Sequence, residues 1–162
     1  MILYHGSDAV VDNPQLLKAN RTLDFGNGFY TTTSKEQAYK WASIKKNREQ
    51  SENGIINIYD ISDEILNDET LNVLKFTDAS EEWLNFVIDN RLKLGYKHNF
   101  DIVKGPVADD RVYACLNAFE NKFMDIESAI RELKTYQLTD QISFHTEKAI
   151  GLLKYIKMEM VK

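Results

Sequence analysis

The sequence predicts an α+β domain built on a largely antiparallel β-sheet with flanking helices. Three observations lead there. Short runs rich in β-branched and aromatic residues recur between turn residues, among them "ILYH", "GFYTT", "GIINIYDI", "FDIVKG" and "DQISFHT", as strands require. Segments with apolar residues at helical spacing lie between them but do not alternate strictly with them, as βαβ units would. At 162 residues, 43% hydrophobic, with 8 Phe, 8 Tyr and 2 Trp, the chain has the length of one domain and the apolar content of a packed core. No internal repeat, low-complexity segment or Pro/Gly-rich linker divides it.

Taken in order, Ile2–His5 is the first strand, followed by turn residues at Gly6–Asp8 and Asn13–Pro14. Gly28–Thr32 is the second. Ser34 then opens a helix, with Gln37 three residues on completing a capping-box pattern. Ala38, Trp41 and Ala42 share one face of that helix. Gly54–Ile61 and the shorter Leu71–Phe76 are strands, and Ser80–Leu94 is a helix carrying Trp83, Leu84, Val87, Ile88 and Leu92 at helical spacing. "FDIVKG" is a strand stopped by Gly105–Pro106. Helices follow near Asp109–Asn121 and Asp125–Tyr136. In "DQISFHT", Gln141, Ser143 and His145 share one face and Ile142 and Phe144 the other. Thr146 caps a short helix, Glu147 to Leu152, before a last strand in "KYIKMEMV".

The formal charge of −5 and a pI near 5.2 argue against a broad nucleic-acid-binding face. Lys40, Lys45, Lys46 and Arg48 gather on one predicted helix, as either a local basic rim or a solvated helix face. The single cysteine, Cys115, excludes an internal disulfide, and its apolar surroundings in "VYACLNAF" make it a small buried hydrophobe. No apolar run approaches the ~18 residues of a membrane span. The start, "MILYHGSD", has neither the basic nor the apolar region of a signal peptide. A cytoplasmic protein with no membrane partner is expected.

Two motifs carry chemistry. "YHGS" closes a strand with an imidazole, and the glycine after it lets a ligand approach the backbone. "GNG", Gly26–Gly28, precedes the strand "FYTTT" and is either a tight turn or a ligand-cradling loop. A strand ending in His-Gly-Ser, then a Gly-x-Gly-aromatic-Tyr strand, then a helix with alanine and an aromatic on its inner face, resembles the ADP-ribosyltransferase superfamily. The match is to its diphtheria-toxin-like branch, which includes the poly-ADP-ribose polymerases. Small bacterial domains of uncharacterised function share "DFGxGFYTT", a later "QA" and "DIVxGPVADD", extending the resemblance through Asp110.

The resemblance implies a split sheet around a cleft that takes NAD as substrate and needs no metal. His5 would hold the adenosine-side ribose, and the Gly6 backbone would bind the nicotinamide carboxamide. Ser7, Gly28 and Ala38 would belong to the same NAD-binding surface, and Tyr30 would line the nicotinamide pocket. Trp41 would stack on the ring, with Tyr39, about 200° round the helix from it, as second candidate. An aromatic clamp on a flat cation gains about 0.5–2 kcal/mol. In this reading the two glycines turn the chain under the dinucleotide and deliver Tyr30 to its nicotinamide.

The superfamily's third motif is a carboxylate at the start of a late core strand, which steadies the oxocarbenium-like charge. At the matching position this chain has Gln141. A glutamine keeps a hydrogen bond and loses the charge, and removing an electrostatic stabiliser costs about 10²–10³ in rate. Either the chemistry is slowed or another carboxylate supplies it. Asp140 points to the opposite face of a regular strand. Asp109 and Asp110 follow a strand and a Gly-Pro pair, and are open to two readings: helix caps, or auxiliary groups that contact ligand or acceptor. His145 either is held structurally or edges the site, and His98 reads as loop and surface.

The expected function is mono-ADP-ribosyl transfer from NAD to a macromolecular acceptor. Net acidity tilts the acceptor towards protein over nucleic acid. Small stand-alone domains of this kind resemble bacterial toxins or effectors restrained by an antitoxin or immunity partner. A catalytically weak NAD-binding module and a NAD glycohydrolase are the alternatives.

Overall fold

Side-chain alternation along the first strand decides how the molecule is layered. In the computed structural model, which describes residues 1–18 and 23–161, β1 (Ile2–Ser7) turns Tyr4 and Gly6 towards one side and Leu3, His5 and Ser7 towards the other. β1 lies antiparallel to β3 (Gly54–Asp60), and β3 antiparallel to β7 (Lys154–Val161), with a register irregularity at Ile58/Tyr59. α1 (Lys35–Glu49) covers one face of this three-stranded sheet, with Ala38 and Ala42 against Ile56, Ile58 and Val161. On the other face Leu3 and Tyr59 meet Phe29, Ile102, Ile142 and Phe144 of the second sheet.

The second sheet has the order β2–β6–β5–β4: β2 (Phe29–Thr31), β6 (Asp140–Phe144), β5 (Ile102–Pro106) and β4 (Val73–Lys75). Only the β4–β5 pair is parallel, so the α+β, mostly antiparallel expectation holds. The remaining face carries a second core of Phe25, Trp83, Leu84, Val103, Val112 and Leu116. Its helices are α2 (Glu81–Leu92), α3 (Asp110–Glu120) and α4 (Ile126–Leu133). α5 (Glu147–Ile150) links β6 to β7, and a 3₁₀ turn at Ile65–Asn67 went unread in the sequence.

Helix starts follow local chemistry. Ser34, Ser80, Asp109, Asp125 and Thr146 each accept from a backbone N–H three residues on, worth about 1 kcal/mol per cap. The reciprocal half of the expected Ser34–Gln37 box is replaced. Thr32 Oγ1 accepts from the Ser34 N–H at 3.0 Å, while Gln37 Oε1 accepts from Thr139 Oγ1 at 2.8 Å. Several boundaries also move. β1 continues through Ser7, past the expected turn at Gly6, because Gly6 and Ser7 pair with Ile56 and Ile55 of β3. β5 continues through Gly105–Pro106, which pair with Gln141 and Asp140 of β6. β4 keeps only Val73–Lys75 of the expected Leu71–Phe76, and α4 ends at Leu133, short of Tyr136. Cys115 is buried and free, as its apolar surroundings implied.

Candidate functional site

The two sheets are joined at one isolated bridge among the described residues, Tyr4–Thr32, with both backbone hydrogen bonds at 2.9 Å. Beyond it the second sheet peels away. Antiparallel alternation turns the N–H and C=O of Gly6 to the same side as those of Tyr4, towards the gap where Tyr30 would have been the next partner. A cleft of about 720 Å³ opens there, within the range of small-molecule and cofactor pockets.

His5, Gly6, Ser7, Gly28, Tyr30, Trp41 and Gln141 all line this cleft. Ala38 does not: it is fully buried beneath Gly6. Asp109 and Asp110 do not line it either. Asp109 caps α3 through Val112 N–H at 3.1 Å and pairs with Arg111 at 2.8 Å, and Asp110 sits in the first turn of that helix. Tyr39 lies outside the lining, so the aromatic of α1 at the cleft is Trp41. Asp140 faces away, accepting from Thr33 Oγ1 at 2.7 Å and pairing with Lys104 at 3.7 Å.

His5 stacks on Phe29, with ring centroids 4.2 Å apart, and Nδ1 donates to the Tyr30 carbonyl at 2.7 Å. Burial pushes its pKa down to about 4; the Tyr30 carbonyl opposes the shift and Lys45 adds to it. The ring is therefore neutral at pH 7, with Nε2 as an acceptor. The Tyr30 hydroxyl donates to Gly26 O at 2.6 Å and accepts from Phe25 N–H at 3.0 Å. Burial, then the Asp24 charge, raise the phenol well above its ordinary range. With its hydroxyl occupied, Tyr30 offers the cleft a ring face.

Of the two loop glycines, Gly26 makes the expected turn, with φ of +84°. At Gly28 a Cβ would come within 2.6 Å of His145 Nδ1, so this glycine admits an imidazole. His145 Nδ1 donates to Asn27 O at 2.6 Å, and Ser143 Oγ lies 2.7 Å from His145 Nε2. Burial pushes His145 to about 4. His98, expected at the surface, donates from Nε2 to Phe25 O at 2.7 Å and packs edge-on to His145 at 4.5 Å. Two histidines thus pin the 25–28 loop. At Gly6 a Cβ would meet Ala38 O at 2.2 Å and Ala42 N at 2.6 Å, so that glycine also lets α1 lie directly on β1.

The cleft holds two further groups of residues, of which the deeper, Asp24, escaped the sequence reading. Lys45 and Arg48 of the α1 basic cluster line the rim, beside Glu49, whose carboxylate pairs with Arg48 Nε at 3.1 Å. Deeper in lies Asp24, 7% exposed. Its Oδ2 accepts from Ala108 N–H at 3.3 Å and from Gln141 Nε2 at 3.2 Å, and its Oδ1 from Tyr113 Oη at 3.2 Å. Burial raises this carboxyl, while Gln141, Ala108, Arg91 and Tyr113 oppose the rise. The available signal was its position directly ahead of the glycine loop in "LDFGNG". Gln141 spends its second N–H on Pro106 O at 3.3 Å, which fixes the amide orientation and leaves Oε1 as acceptor.

Fold and site together define a class: an α+β domain whose two sheets part to leave an aromatic-walled cleft, with a buried carboxylate–amide pair at depth and basic residues at the rim. The chain belongs to the DUF3990 family of proteins of unknown function, whose model matches residues 1–155. No curated protein and no solved structure matches it. Among the described residues, no helix is long and apolar enough to cross a membrane.

Proposed function

We propose that this protein binds NAD in the cleft and transfers its ADP-ribose to a macromolecular acceptor. One observation carries the reading. The residues singled out by the superfamily resemblance, His5, Gly6, Tyr30, Trp41 and Gln141, come from β1, β2, α1 and β6 and meet in one cleft. A neutral His5 offering Nε2 suits a ribose hydroxyl, and the backbone groups of Gly6 suit a carboxamide. Tyr30 and Trp41 supply apolar faces for a flat cationic ring. Lys45 and Arg48 provide positive charge for a pyrophosphate. The net charge of −5 favours a protein acceptor over nucleic acid. By the same resemblance the protein acts as a toxin or effector, restrained by an antitoxin or immunity partner.

The test is thermal unfolding with NAD or nicotinamide, alongside incubation with labelled NAD and a cell lysate. Ligand at 100 times its dissociation constant adds about 2.7 kcal/mol, so Tm should rise, and label should enter macromolecules with release of nicotinamide. Release without macromolecular label would make the protein a glycohydrolase. No thermal shift at millimolar NAD would remove the reading.

A further inference from the structure

We infer that Asp24 supplies the negative charge that Gln141 lacks: its carboxylate, held by the Gln141 amide, faces the ribose C1′ and stabilises the positive charge that develops there. This deepens the NAD reading and rests on it. Three observations bring Asp24 forward. It is nearly fully buried yet belongs to the cleft wall. It is hydrogen-bonded at 3.2 Å to the side chain at the position where the superfamily resemblance expects an acid. Its three donors come from three separate parts of the chain: Ala108 after β5, Tyr113 on α3 and Gln141 on β6.

Those three donors favour the ionised form and oppose the burial that raises this carboxyl. An ionised carboxylate has about four acceptor positions, and among the described residues three donors occupy them. The fourth position would take a ribose hydroxyl beside C1′. Gln141 directs both N–H bonds at Asp24 and Pro106, so its Oε1 can accept from a neighbouring hydroxyl. Carboxylate and amide thus divide between two side chains the two tasks expected of one acid, charge and hydrogen bonding. In a buried wall the charge acts through a low dielectric and needs no reorganisation during reaction.

The C1′–N bond to nicotinamide breaks, and both electrons leave on nitrogen, so nicotinamide departs neutral. Positive charge spreads over C1′ and the ring oxygen, opposite Asp24. A lone pair of the acceptor, or of water in hydrolysis, then forms the new bond to C1′, and its proton passes to solvent. No oxidant or further reactant is required.

The experiment compares wild type, D24N and the exchange D24N/Q141E, which swaps carboxylate and amide across the same hydrogen bond. NAD binding is read by calorimetry and nicotinamide release by rate, with water or lysate as acceptor. The expected result is that D24N binds NAD within about threefold of wild type but releases nicotinamide about 10²-fold more slowly. The exchange should recover at least about tenfold of that loss. A merely structural Asp24 would weaken binding and release together, and the exchange would restore neither selectively. If D24N does not fold, the exchange decides alone: release above about one-tenth of the wild-type rate supports the assignment, and NAD bound with slower release or none overturns it. Wild-type NAD binding with equal release in D24N, or with no release at all, overturns the role of Asp24. Absence of NAD binding in wild type overturns the reading beneath it.

Discussion

A single hydrogen bond, from His5 Nδ1 to the carbonyl oxygen of Tyr30 at 2.7 Å, ties β1 to β2 where the backbone ladder between the two sheets has ended. It fixes the tautomer of His5 and the position of Tyr30 together. His5→Ala should destabilise the fold by about 1–3 kcal/mol, the cost of losing the bond and leaving a partner unsatisfied, and should abolish the thermal shift with NAD. Retention of that shift would separate His5 from the ligand.

The hydroxyl and the ring of Tyr30 have separate tasks. Tyr30→Phe removes the bonds to Phe25 N–H and Gly26 O and should cost about 1–3 kcal/mol, yet keep the response to nicotinamide. Tyr30→Ala should lose stability and response together. Urea unfolding with and without nicotinamide distinguishes them, and equal loss of response in both variants would assign binding to the hydroxyl.

Acid should unfold this protein early. His5 and His145 titrate near 4 when folded and near 6.5 when unfolded. Between those values the unfolded chain binds more protons, so stability falls as pH drops through the window. Each group contributes about 1.4 kcal/mol per pH unit, or about 4 kcal/mol for the pair between pH 7 and 5. His98, also lowered, acts in the same direction. Asp24, raised by burial, acts the other way, because its protonation favours the folded state. A urea midpoint unchanged between pH 7 and 5 would contradict the buried, neutral imidazoles.

Glycine substitutions should rank by what the new Cβ meets. Gly6→Ala drives it into helix backbone at 2.2 Å and should cost about 3 kcal/mol or more. Gly54→Ala, with contacts from 3.1 Å, should cost less. Gly95→Ala meets nothing within 4 Å but holds φ at +76°, a strain of about 1–2 kcal/mol. The order of the three unfolding midpoints checks this.

At the rim, Lys45→Ala and Arg48→Ala should each weaken NAD binding about 5–30-fold, or about 1–2 kcal/mol. Nicotinamide binding should stay unchanged, because only the dinucleotide carries the pyrophosphate. Calorimetry with both ligands tests this, and a parallel loss would place these residues at the nicotinamide end.

Local signals in the sequence determined a good part of this protein. Caps at Ser34, Ser80, Asp109, Asp125 and Thr146, and alternation in "ILYHGS" and "DQISFHT", depend on neighbours a few residues away. They placed the helices and strands and put Gln141 on the inward face of β6. Tertiary structure alone decided the parallel β4–β5 pair, the exchange of Gln37 from its own cap to Thr139, and the reasons for Gly6 and Gly28, which are a helix backbone and an imidazole from distant segments. It also decided Asp24. Among 25 acidic residues a loop aspartate has no period or cap to distinguish it, and its character comes from Gln141, 117 positions away, and from burial. A carboxylate's charge and accessibility belong to its surroundings, and those exist only once the chain has closed around it.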